Sequence, residues 1–368
     1  MIGYQSEIDN ISSKSIKDSR EELCNISVSL VGRNKIIIHG ETTIPQIRDE
    51  IIKTLAKPGI ILTDSIIILP DTIHNKKYLG VVTLSVANLR KEPRHAAELV
   101  SQAILGTPVL VLKEKNSWLL VKTPDNYISW TERSSLVLMD RNEFLLWKGE
   151  QKVIYVENSG WVYSEANEKN VIGDLVSGSI LEKRGESADY INVRFPDGRE
   201  GFVRKSNTRD FLLWKNDNSI VADKLKSTAF TFLGLPYLWG GTSSKAVDCS
   251  GFIQSVYFRN GYILSRDASL QAVHGDIVDI STDYSKLENG DLLFFGSRDT
   301  RGDHVTHVAM YIGDTEFIHA SFRVMVNSLD STRTNFSSVR KKSLLSARRI
   351  LGTAEDNGIV RVSKHHMY

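Results

Sequence analysis

Cys249 stands in a segment whose residues suit covalent catalysis. Asp248 precedes it, and the apolar residues Phe252, Val256 and Tyr257 then recur at helical spacing. Because Asp is a favourable helix N-cap, the pattern predicts that Cys249 lies in the first turn of a helix. The unpaired N–H groups and positive dipole end of a helix start favour a thiolate, so we expect the pKa of Cys249 to lie below its usual value of about 8.5. A thiolate is the nucleophile that acyl transfer requires.

Two downstream histidines are candidates for the base that such a nucleophile needs. His307 opens the predicted strand HVAMYIG, and His319 lies in the next predicted strand, FIHAS. If these strands pair, both imidazoles lie at one end of a sheet, where one accepts the Cys249 proton and the other fixes the orientation and tautomer of the first. His304, just before His307, remains an alternative base.

The same side chains suggest a second chemistry, a zinc site. Cys249, His304, His307 and His319 are residue types that zinc prefers. The chain has 2 cysteines, however, and they do not form the paired spacing of zinc-binding motifs. We therefore expect no metal, no cofactor and no disulfide, and we expect Cys24 to be inert.

The elements before Cys249 contain an internal repeat with an offset of 72 residues. Both units alternate apolar and polar residues, place a Pro-Asp turn between two aromatic-bearing strands and end on the word FLLWK, which predicts two copies of a small antiparallel barrel. We assign the repeated aromatic residues to the cores rather than to a glycan-binding platform. The matching pairs are Gly106 and Gly178, Trp118 and Tyr190, Pro124 and Pro196, and Trp130 and Phe202.

The patterns divide the chain into five parts. Residues 26–70 alternate β-rich words with one helical segment, and the composition changes again near residue 216, where helices and separated strands follow. The tail lacks periodicity, and we expect it to be loose. The predicted parts are an α/β segment at 1–75, all-β modules at 76–142 and 143–215, an α+β unit at 216–354 and the tail at 355–368.

Composition excludes several classes of protein. The 368 residues are 41% hydrophobic and 24% charged, with a formal net charge of +2, which is typical of a globular protein and predicts neither disorder nor a nucleic-acid or membrane partner. The first 24 residues lack the apolar stretch of a secretory leader, so we expect a cytoplasmic monomer. A secreted or periplasmic protein whose leader has been removed is the alternative.

Five short sequence motifs in the predicted α+β unit resemble those of a known family. YLWGG, DCSG, GDLLFF, HVAMYIG and FIHAS occur in the order and spacing of the NlpC-type, papain-like cysteine peptidases, and the resemblance spans residues 216–351. It implies that Cys249 is the nucleophile, His307 rather than His304 the base, and His319 the orienting third residue. It also implies that Tyr237 helps to form an oxyanion hole.

The repeated modules carry a second resemblance. SVANLRKEP and GTPVLVL are similar to words of the bacterial SH3-like domains found beside wall hydrolases, with residues 79–139 as the better match and residues 150–210 as the weaker one. The expected fold is therefore a multidomain chain. A papain-like α+β catalytic domain follows two small all-β SH3-like barrels and a small α/β N-terminal segment.

Within this family, the doubled modules and the word RDASLQ resemble the γ-D-glutamyl-L-diamino acid endopeptidases. The resemblance implies a clamp for the free α-amine of an N-terminal L-Ala. A carboxylate clamp left without its ammonium partner is costly, so N-acylated peptides should be rejected. The implied substrate-binding residues are Glu98, Tyr127 and Asp267 for the amine, and Ser250, Tyr237 and Asp248 around the D-Glu moiety.

The predicted reaction is hydrolysis of the bond between γ-D-Glu and a diamino acid, diaminopimelate or Lys, in murein peptides with a free N-terminal L-Ala. It proceeds through a thioester on Cys249 and serves peptidoglycan turnover or recycling. Two alternatives remain open. One is an endopeptidase that acts on intact, glycan-linked stem peptides, and the other is a wall-binding protein without catalysis.

Overall fold

A computed structural model describes residues 2–32, 34–217, 219 and 221–368 of the chain. The described residues form an N-terminal α/β unit, two seven-stranded all-β modules and a C-terminal α+β unit. Each unit has hydrophobic core residues of its own, as the multidomain prediction requires. In the described part of the chain, no helix is both long and apolar enough to cross a membrane.

The N-terminal unit packs two helices against a three-stranded sheet. Strand β2 pairs antiparallel with β1 and parallel with β3. The unit begins with a helix that the sequence patterns did not predict, and Ile8 of this helix is buried with Ile36, Ile38 and Ile47. The elements are α1 (Ile2–Ser15), β1 (Cys24–Val31), β2 (Lys35–Thr42), α2 (Pro45–Leu55) and β3 (Ile61–Ile68).

The first all-β module is a seven-stranded sheet in the order β10-β4-β7-β8-β9-β5-β6. Its core contains Leu89, Val111, Leu119 and Val121. Strand β8 is buried on both faces, because Trp118 and Leu120 pack in a second apolar cluster. Its strands are β4 (Leu79–Val82), β5 (Val86–Arg90), β6 (Leu99–Ile104), β7 (Pro108–Lys115), β8 (Trp118–Lys122), β9 (Ile128–Glu132) and β10 (Leu136–Met139).

The second all-β module has the order β13-β12-β16-β15-β14-β11-β17. The word FLLWK that ends each unit is helical, in α3 (Arg141–Gly149) and α4 (Phe211–Lys215). The repeated glycine has a physical reason, because Gly106 and Gly178 have φ of 81° and 90°. The strands are β11 (Lys152–Tyr155), β12 (Ser159–Tyr163), β13 (Val171–Val176), β14 (Ile180–Glu186), β15 (Tyr190–Arg194), β16 (Glu200–Arg204) and β17 (Thr208–Asp210).

The C-terminal unit packs a central helix against an antiparallel sheet in the order β21-β26-β22-β23-β24-β25. Phe252, Ile253 and Val256 of this helix share a core with Phe294 and Val308 of the sheet. The elements are α5 (Ala222–Phe230), β18 (Thr242–Ser243), β19 (Ala246–Val247), α6 (Cys249–Arg259), β20 (Tyr262–Leu264), α7 (Ala268–Gln271), β21 (Asp276–Val278), β22 (Leu292–Asp299), β23 (Gly302–Gly313), β24 (Glu316–Ala320), β25 (Val324–Ser328), α8 (Ser338–Ser343) and β26 (Leu344–Arg349).

The segment at 355–368 is ordered against the rest of the protein, so the expectation of a loose tail is wrong. Strand β27 (Ile359–Arg361) pairs antiparallel with β20. The ring of Tyr368 is buried and lies 6.3 Å from that of Phe211 and 6.1 Å from that of Phe258. The segment contains only short elements and packs single side chains against other units, which explains why its sequence lacks a helical or strand period.

Candidate active site

Asp248 and Cys249 form the start of helix α6, as the sequence predicted. The Asp248 carboxylate accepts hydrogen bonds from the backbone N–H of Gly251 at 2.7 Å and from that of Gly240 at 3.0 Å. It also forms an ion pair of 2.6 Å with Arg266, whose side chain is only 1% exposed. The Asp248 carboxylate is thus held by the helix and by Arg266, and this geometry favours a structural role over the substrate contact predicted from the resemblance.

The Cys249 thiol differs from the expectation in its acidity. Burial raises the pKa of Cys249 to about 11, and the neighbouring Asp248 charge acts in the same direction. The backbone N–H groups of Val308 and Ser250 and the charge of Arg266 lower this pKa, but they do not compensate for burial. Burial and the negative charge of the capping Asp248 carboxylate thus outweigh the effect of the helix start on this pKa. In the free protein, Cys249 is therefore a neutral thiol.

His307 and His319 are brought together, and the third histidine is not. Nε2 of His307 lies 2.7 Å from Nδ1 of His319, with ring centroids 5.0 Å apart. His304 is about half exposed and faces Asp299 at 2.9 Å. Strand β23 begins at Gly302, so His307 lies inside the strand rather than at its start, because the predicted polar loop continues the β22–β23 hairpin.

Asn327 on β25 completes a chain of hydrogen bonds that fixes the tautomers of His319 and His307. Its Nδ2 donates to the carbonyl oxygen of Asn335 at 2.9 Å, so its Oδ1 faces His319 Nε2 at 2.9 Å as an acceptor. His319 then carries its proton on Nε2 and accepts at Nδ1. The facing Nε2 of His307 must donate, which leaves Nδ1 of His307 unprotonated and able to take a proton from a thiol.

The two imidazoles are neutral in this site. Burial lowers the pKa of His307 to about 2, with smaller contributions from the charges of Arg340 and His319. Burial also lowers the pKa of His319 to about 4, against the opposing effect of its hydrogen bond with Asn327. Because the Cys249 thiol and the His307 imidazole are both neutral, the roles implied by the resemblance require general-base activation during attack rather than a preformed ion pair.

Tyr237 lies in the same cavity as Cys249. Burial raises the pKa of Tyr237 to about 12, and the nearby thiol and Asp248 act in the same direction. Its phenol therefore stays protonated and can donate a hydrogen bond to a developing oxyanion. The position of Tyr237 is fixed by its backbone N–H, which donates to the carbonyl oxygen of Phe322 at 3.0 Å.

A cavity of about 750 Å³ opens above Cys249. Three units contribute to its walls, which makes the first all-β module part of the site, as predicted. The N-terminal unit contributes as well, which was not predicted. Its lining includes Arg20, Asn25 and Glu41 from the N-terminal unit, Lys91, Glu98, Lys113 and Tyr127 from the first module, and Tyr237, Trp239, Cys249, Ser250 and Asp267 from the C-terminal unit.

Glu98, Tyr127 and Asp267, the three residues implied in amine binding, all line this cavity. The Tyr127 hydroxyl donates to Oδ2 of Asp267 at 3.2 Å. Glu98 lies in the cavity wall with its side chain 44% exposed, where it accepts from Nε1 of Trp239 at 3.0 Å. Its Oε2 is 3.7 Å from Nζ of Lys91, so Glu98 already faces a cation.

Arg266 and Ser250 connect the floor of the cavity to the first module. Nη1 of Arg266 donates to Ser250 Oγ at 3.0 Å, and Nε of Arg266 donates to Ser101 Oγ at 3.0 Å. The Ser250 hydroxyl is buried against this guanidinium. Sequence reasoning missed Arg266, although it immediately precedes Asp267 in the quoted word RDASLQ.

Arg20 of the N-terminal unit reaches the predicted amine site. Its Nη1 donates to Oδ2 of Asp267 at 2.7 Å and to Oγ of Ser269 at 3.0 Å. The sequence predicted an unpaired carboxylate at this end of the cavity, and the structure places a guanidinium there instead. Among the residues that the structure describes, no group of three or more His, Cys, Asp or Glu side chains is arranged to hold a metal ion.

Comparisons with known proteins identify the families of the C-terminal unit and of the first all-β module. Residues 234–348 match the NlpC/P60 family, and residues 89–136 match the bacterial dipeptidyl-peptidase Sh3 domain. A γ-D-glutamyl-L-lysine dipeptidyl-peptidase of Bacillus cereus is 33% identical over 237 residues, which are 61% of this chain and 68% of the relative. Dipeptidyl-peptidase 6 of Lysinibacillus sphaericus is 31% identical over 68% of this chain and 92% of its own length.

A solved structure extends the agreement to three dimensions. The crystal structure of a NlpC/P60 family protein from Bacillus cereus superimposes with a TM-score of 0.64 at 26% sequence identity. The match covers 99% of that protein and 74% of this chain. The papain-like domain and an SH3-like domain before it are thus confirmed, and part of this chain has no counterpart in the matched structure.

Proposed function

Because the chain belongs to the NlpC/P60 family of cysteine peptidases, we propose that it hydrolyses the bond between γ-D-glutamate and a diamino acid in murein peptides. The observation that carries the proposal is the hydrogen-bonded row of Asn327, His319 and His307, which leaves Nδ1 of His307 free to accept the Cys249 proton. The names of the relatives, γ-D-glutamyl-L-lysine dipeptidyl-peptidase and dipeptidyl-peptidase 6, support this choice of bond.

The reaction has two half-reactions. His307 takes the thiol proton as the Cys249 sulfur attacks the γ-carbonyl carbon of D-Glu, and Tyr237 donates to the resulting oxyanion. The C–N bond then breaks, the diamino acid leaves with the proton from His307, and a thioester remains on Cys249. Water, deprotonated by His307, attacks the thioester and releases the L-Ala-γ-D-Glu dipeptide together with the free thiol.

The substrate's N-terminus lies, in this proposal, at the end of the cavity formed by Asp267, Tyr127 and Glu98. Two carboxylates and a phenol oxygen suit an ammonium group, which is the chemistry of a free L-Ala amine. Ser250, held by Arg266, lies beside the D-Glu moiety. With the N-terminus placed there, the enzyme is a dipeptidyl-peptidase, which cleaves after the second residue from the free N-terminus of the peptide.

Incubation with L-Ala-γ-D-Glu-L-Lys and with the corresponding diaminopimelate peptide tests the proposal. We expect the wild type to release the dipeptide and the Cys249→Ala variant to release none. Cys24→Ala is the matched control, because Cys24 lies in the N-terminal unit, 3.3 Å from Ser12 Oγ. Equal release by wild type and Cys249→Ala, or release by neither, would overturn the peptidase assignment.

A second candidate is an endopeptidase that cuts intact, glycan-linked stem peptides. The observation in its favour is the guanidinium of Arg20 on Asp267, since a carboxylate that already holds a cation demands an ammonium less strongly. Comparing the free tripeptide with its N-acetylated form separates the two candidates. A large fall in kcat/KM on acetylation supports the dipeptidyl-peptidase, whereas undiminished cleavage supports the endopeptidase.

A further inference from the structure

The segment at 18–23 belongs to the N-terminal unit, yet it forms a wall of the cavity. It lies outside the residues matched by the two families, 89–136 and 234–348. The backbone N–H of Ile128 donates to the carbonyl oxygen of Arg20 at 2.7 Å, and Nζ of Lys122 donates to that of Glu21 at 3.1 Å. Leu23 packs on the apolar cluster that contains Trp118 and Trp130. The segment is therefore docked on the first module by its backbone and by an apolar anchor.

The Arg20 side chain is fixed from both ends. Its Nε and Nη2 donate to the two carboxylate oxygens of Asp18, at 2.8 Å and 2.6 Å. Its Nη1 remains for Asp267 and Ser269. A guanidinium held bidentately by one carboxylate presents its last nitrogen in a defined direction, which a flexible ammonium does not. Arg20 is thus preorganised to contact Asp267 and is only 33% exposed.

The net charge at this end of the cavity is less negative than that of the amine clamp predicted from the resemblance. Asp18, Arg20 and Asp267 together carry one negative charge, and Glu98 faces Lys91. A substrate ammonium that approaches Asp267 meets both the attractive carboxylate and a guanidinium that already binds it. The guanidinium repels the ammonium but has no such effect on a neutral amide.

Other polar side chains of the N-terminal unit and the first module line the same cavity. Asn25 and Glu41 of the N-terminal unit and Lys113 of the first module line it, with Glu41 and Lys113 forming an ion pair across the two units. This wall is polar, and the N-terminal unit contributes Asn25 and Glu41 to it. It offers hydrogen-bonding groups to an acyl substituent on the L-Ala nitrogen.

We propose that Arg20 is a specificity-determining residue that lowers the preference of the cavity for a free N-terminus over an N-acylated one. This inference rests on the proposed function. It assigns to the N-terminal unit a role in the choice of substrate, through one side chain that neutralises part of the amine clamp.

The test compares kcat/KM for L-Ala-γ-D-Glu-L-Lys with that for its N-acetylated form. We expect Arg20→Gln to raise the ratio of free to acetylated peptide about tenfold, chiefly through a lower KM for the free peptide, because one like charge near the ammonium is removed. Arg20→Lys, which keeps the charge, should hold the ratio near that of the wild type. Arg48→Gln is the matched control, since Arg48 pairs with Asp64 at 2.6 Å within the N-terminal unit and does not line the cavity.

An unchanged or lower ratio in Arg20→Gln, with a wild type that cleaves the free peptide, overturns this inference and leaves the proposed function intact. A wild type that cleaves neither peptide overturns the proposed function. In that case, calorimetric titration of Cys249→Ala with L-Ala-γ-D-Glu and its N-acetyl form, with and without Arg20→Gln, decides the inference. A tenfold gain in selectivity for the free dipeptide supports it, and any smaller change or an absence of binding overturns it.

Discussion

Nδ1 of His319 lies 2.7 Å from Nε2 of His307, with the two ring planes at 89°. This contact determines which nitrogen of His307 is unprotonated, and in the proposed mechanism that nitrogen is the base. His319 itself is oriented by Asn327, so the proton arrangement at the nucleophile is set by a residue two strands away from His307. His319 and Asn327 are therefore positioning residues, and their removal should change the rate of the chemical step more than the binding of substrate.

Replacing Asn327 tests this row of hydrogen bonds. Asn327→Leu removes the acceptor that keeps the His319 proton on Nε2, so we expect kcat to fall about tenfold to a hundredfold with little change in KM. Asn327→Asp keeps an acceptor and adds a negative charge, which should raise the pKa of His319 and His307 and move the acidic limb of the pH–rate profile to higher pH. Wild-type kcat in Asn327→Leu would show that His319 holds its orientation without Asn327.

Arg340 should assist thiolate formation. Its guanidinium is half-buried and interacts electrostatically with Cys249 and Tyr237. Without this cation, the pKa of the Cys249 thiol should rise further, and we expect Arg340→Gln to slow alkylation of Cys249 by iodoacetamide about threefold to tenfold at neutral pH. Arg333→Gln, at an exposed arginine 3.5 Å from Glu316, is the control. Equal alkylation rates in the two variants would remove Arg340 from this role.

The ion pair between Asp248 and Arg266 should contribute strongly to stability. Asp248→Asn would leave a guanidinium that is 1% exposed without its counter-charge, so we expect the free energy of unfolding to fall by about 3–5 kcal/mol in urea titrations. The comparison is Asp279→Asn, because Asp279 forms a solvent-exposed pair with Lys286 at 2.6 Å, and water and salt screen such a pair. Similar losses in both variants would contradict the role assigned to Asp248.

The buried histidines predict how stability depends on pH. The folded-state pKa values of His307 and His319, about 2 and about 4, lie below the unfolded value of 6.5, so between these values the unfolded chain binds protons that the folded chain excludes. Each histidine should therefore lower the free energy of unfolding by about 1.4 kcal/mol per pH unit as the pH falls below 6.5. His307→Gln/His319→Gln should flatten this slope relative to the wild type, while His304→Gln should retain it.

The sequence was informative where function depends on contiguous residues. His307 and His319 were expected to lie together, and their imidazoles are in contact, because each lies in a short motif within a recognisable strand. Asn327 was missed because its place beside His319 follows from the β24–β25 register, in which His319 pairs with Met325. The predicted acidity of the thiol was wrong because burial is a property of the assembled fold. Arg20 was missed because nothing in its local sequence points to Asp267.

Helix α1 and the final segment were missed for a related reason. The apolar residues of α1 are few, with Ile8 and Ile11 buried, and they form a core only against α2 and the sheet. The last residues, including Met367 and Tyr368, are buried in clusters formed with distant residues of the modules. Local sequence patterns predict helices and strands that bury one regular face. Helix α1 and the final segment instead bury a few single side chains against other parts of the protein.

Arg20 and Asp267 are separated by 247 positions. Closing so long a loop carries an entropic cost that must be met before the contact stabilises anything, so this contact belongs to the late stages of folding. During synthesis, the N-terminal unit leaves the ribosome long before the helix that carries the nucleophile exists. The wall that Arg20 and Asp267 form together is therefore complete only after the C-terminal unit has been synthesised and has packed against the N-terminal segment.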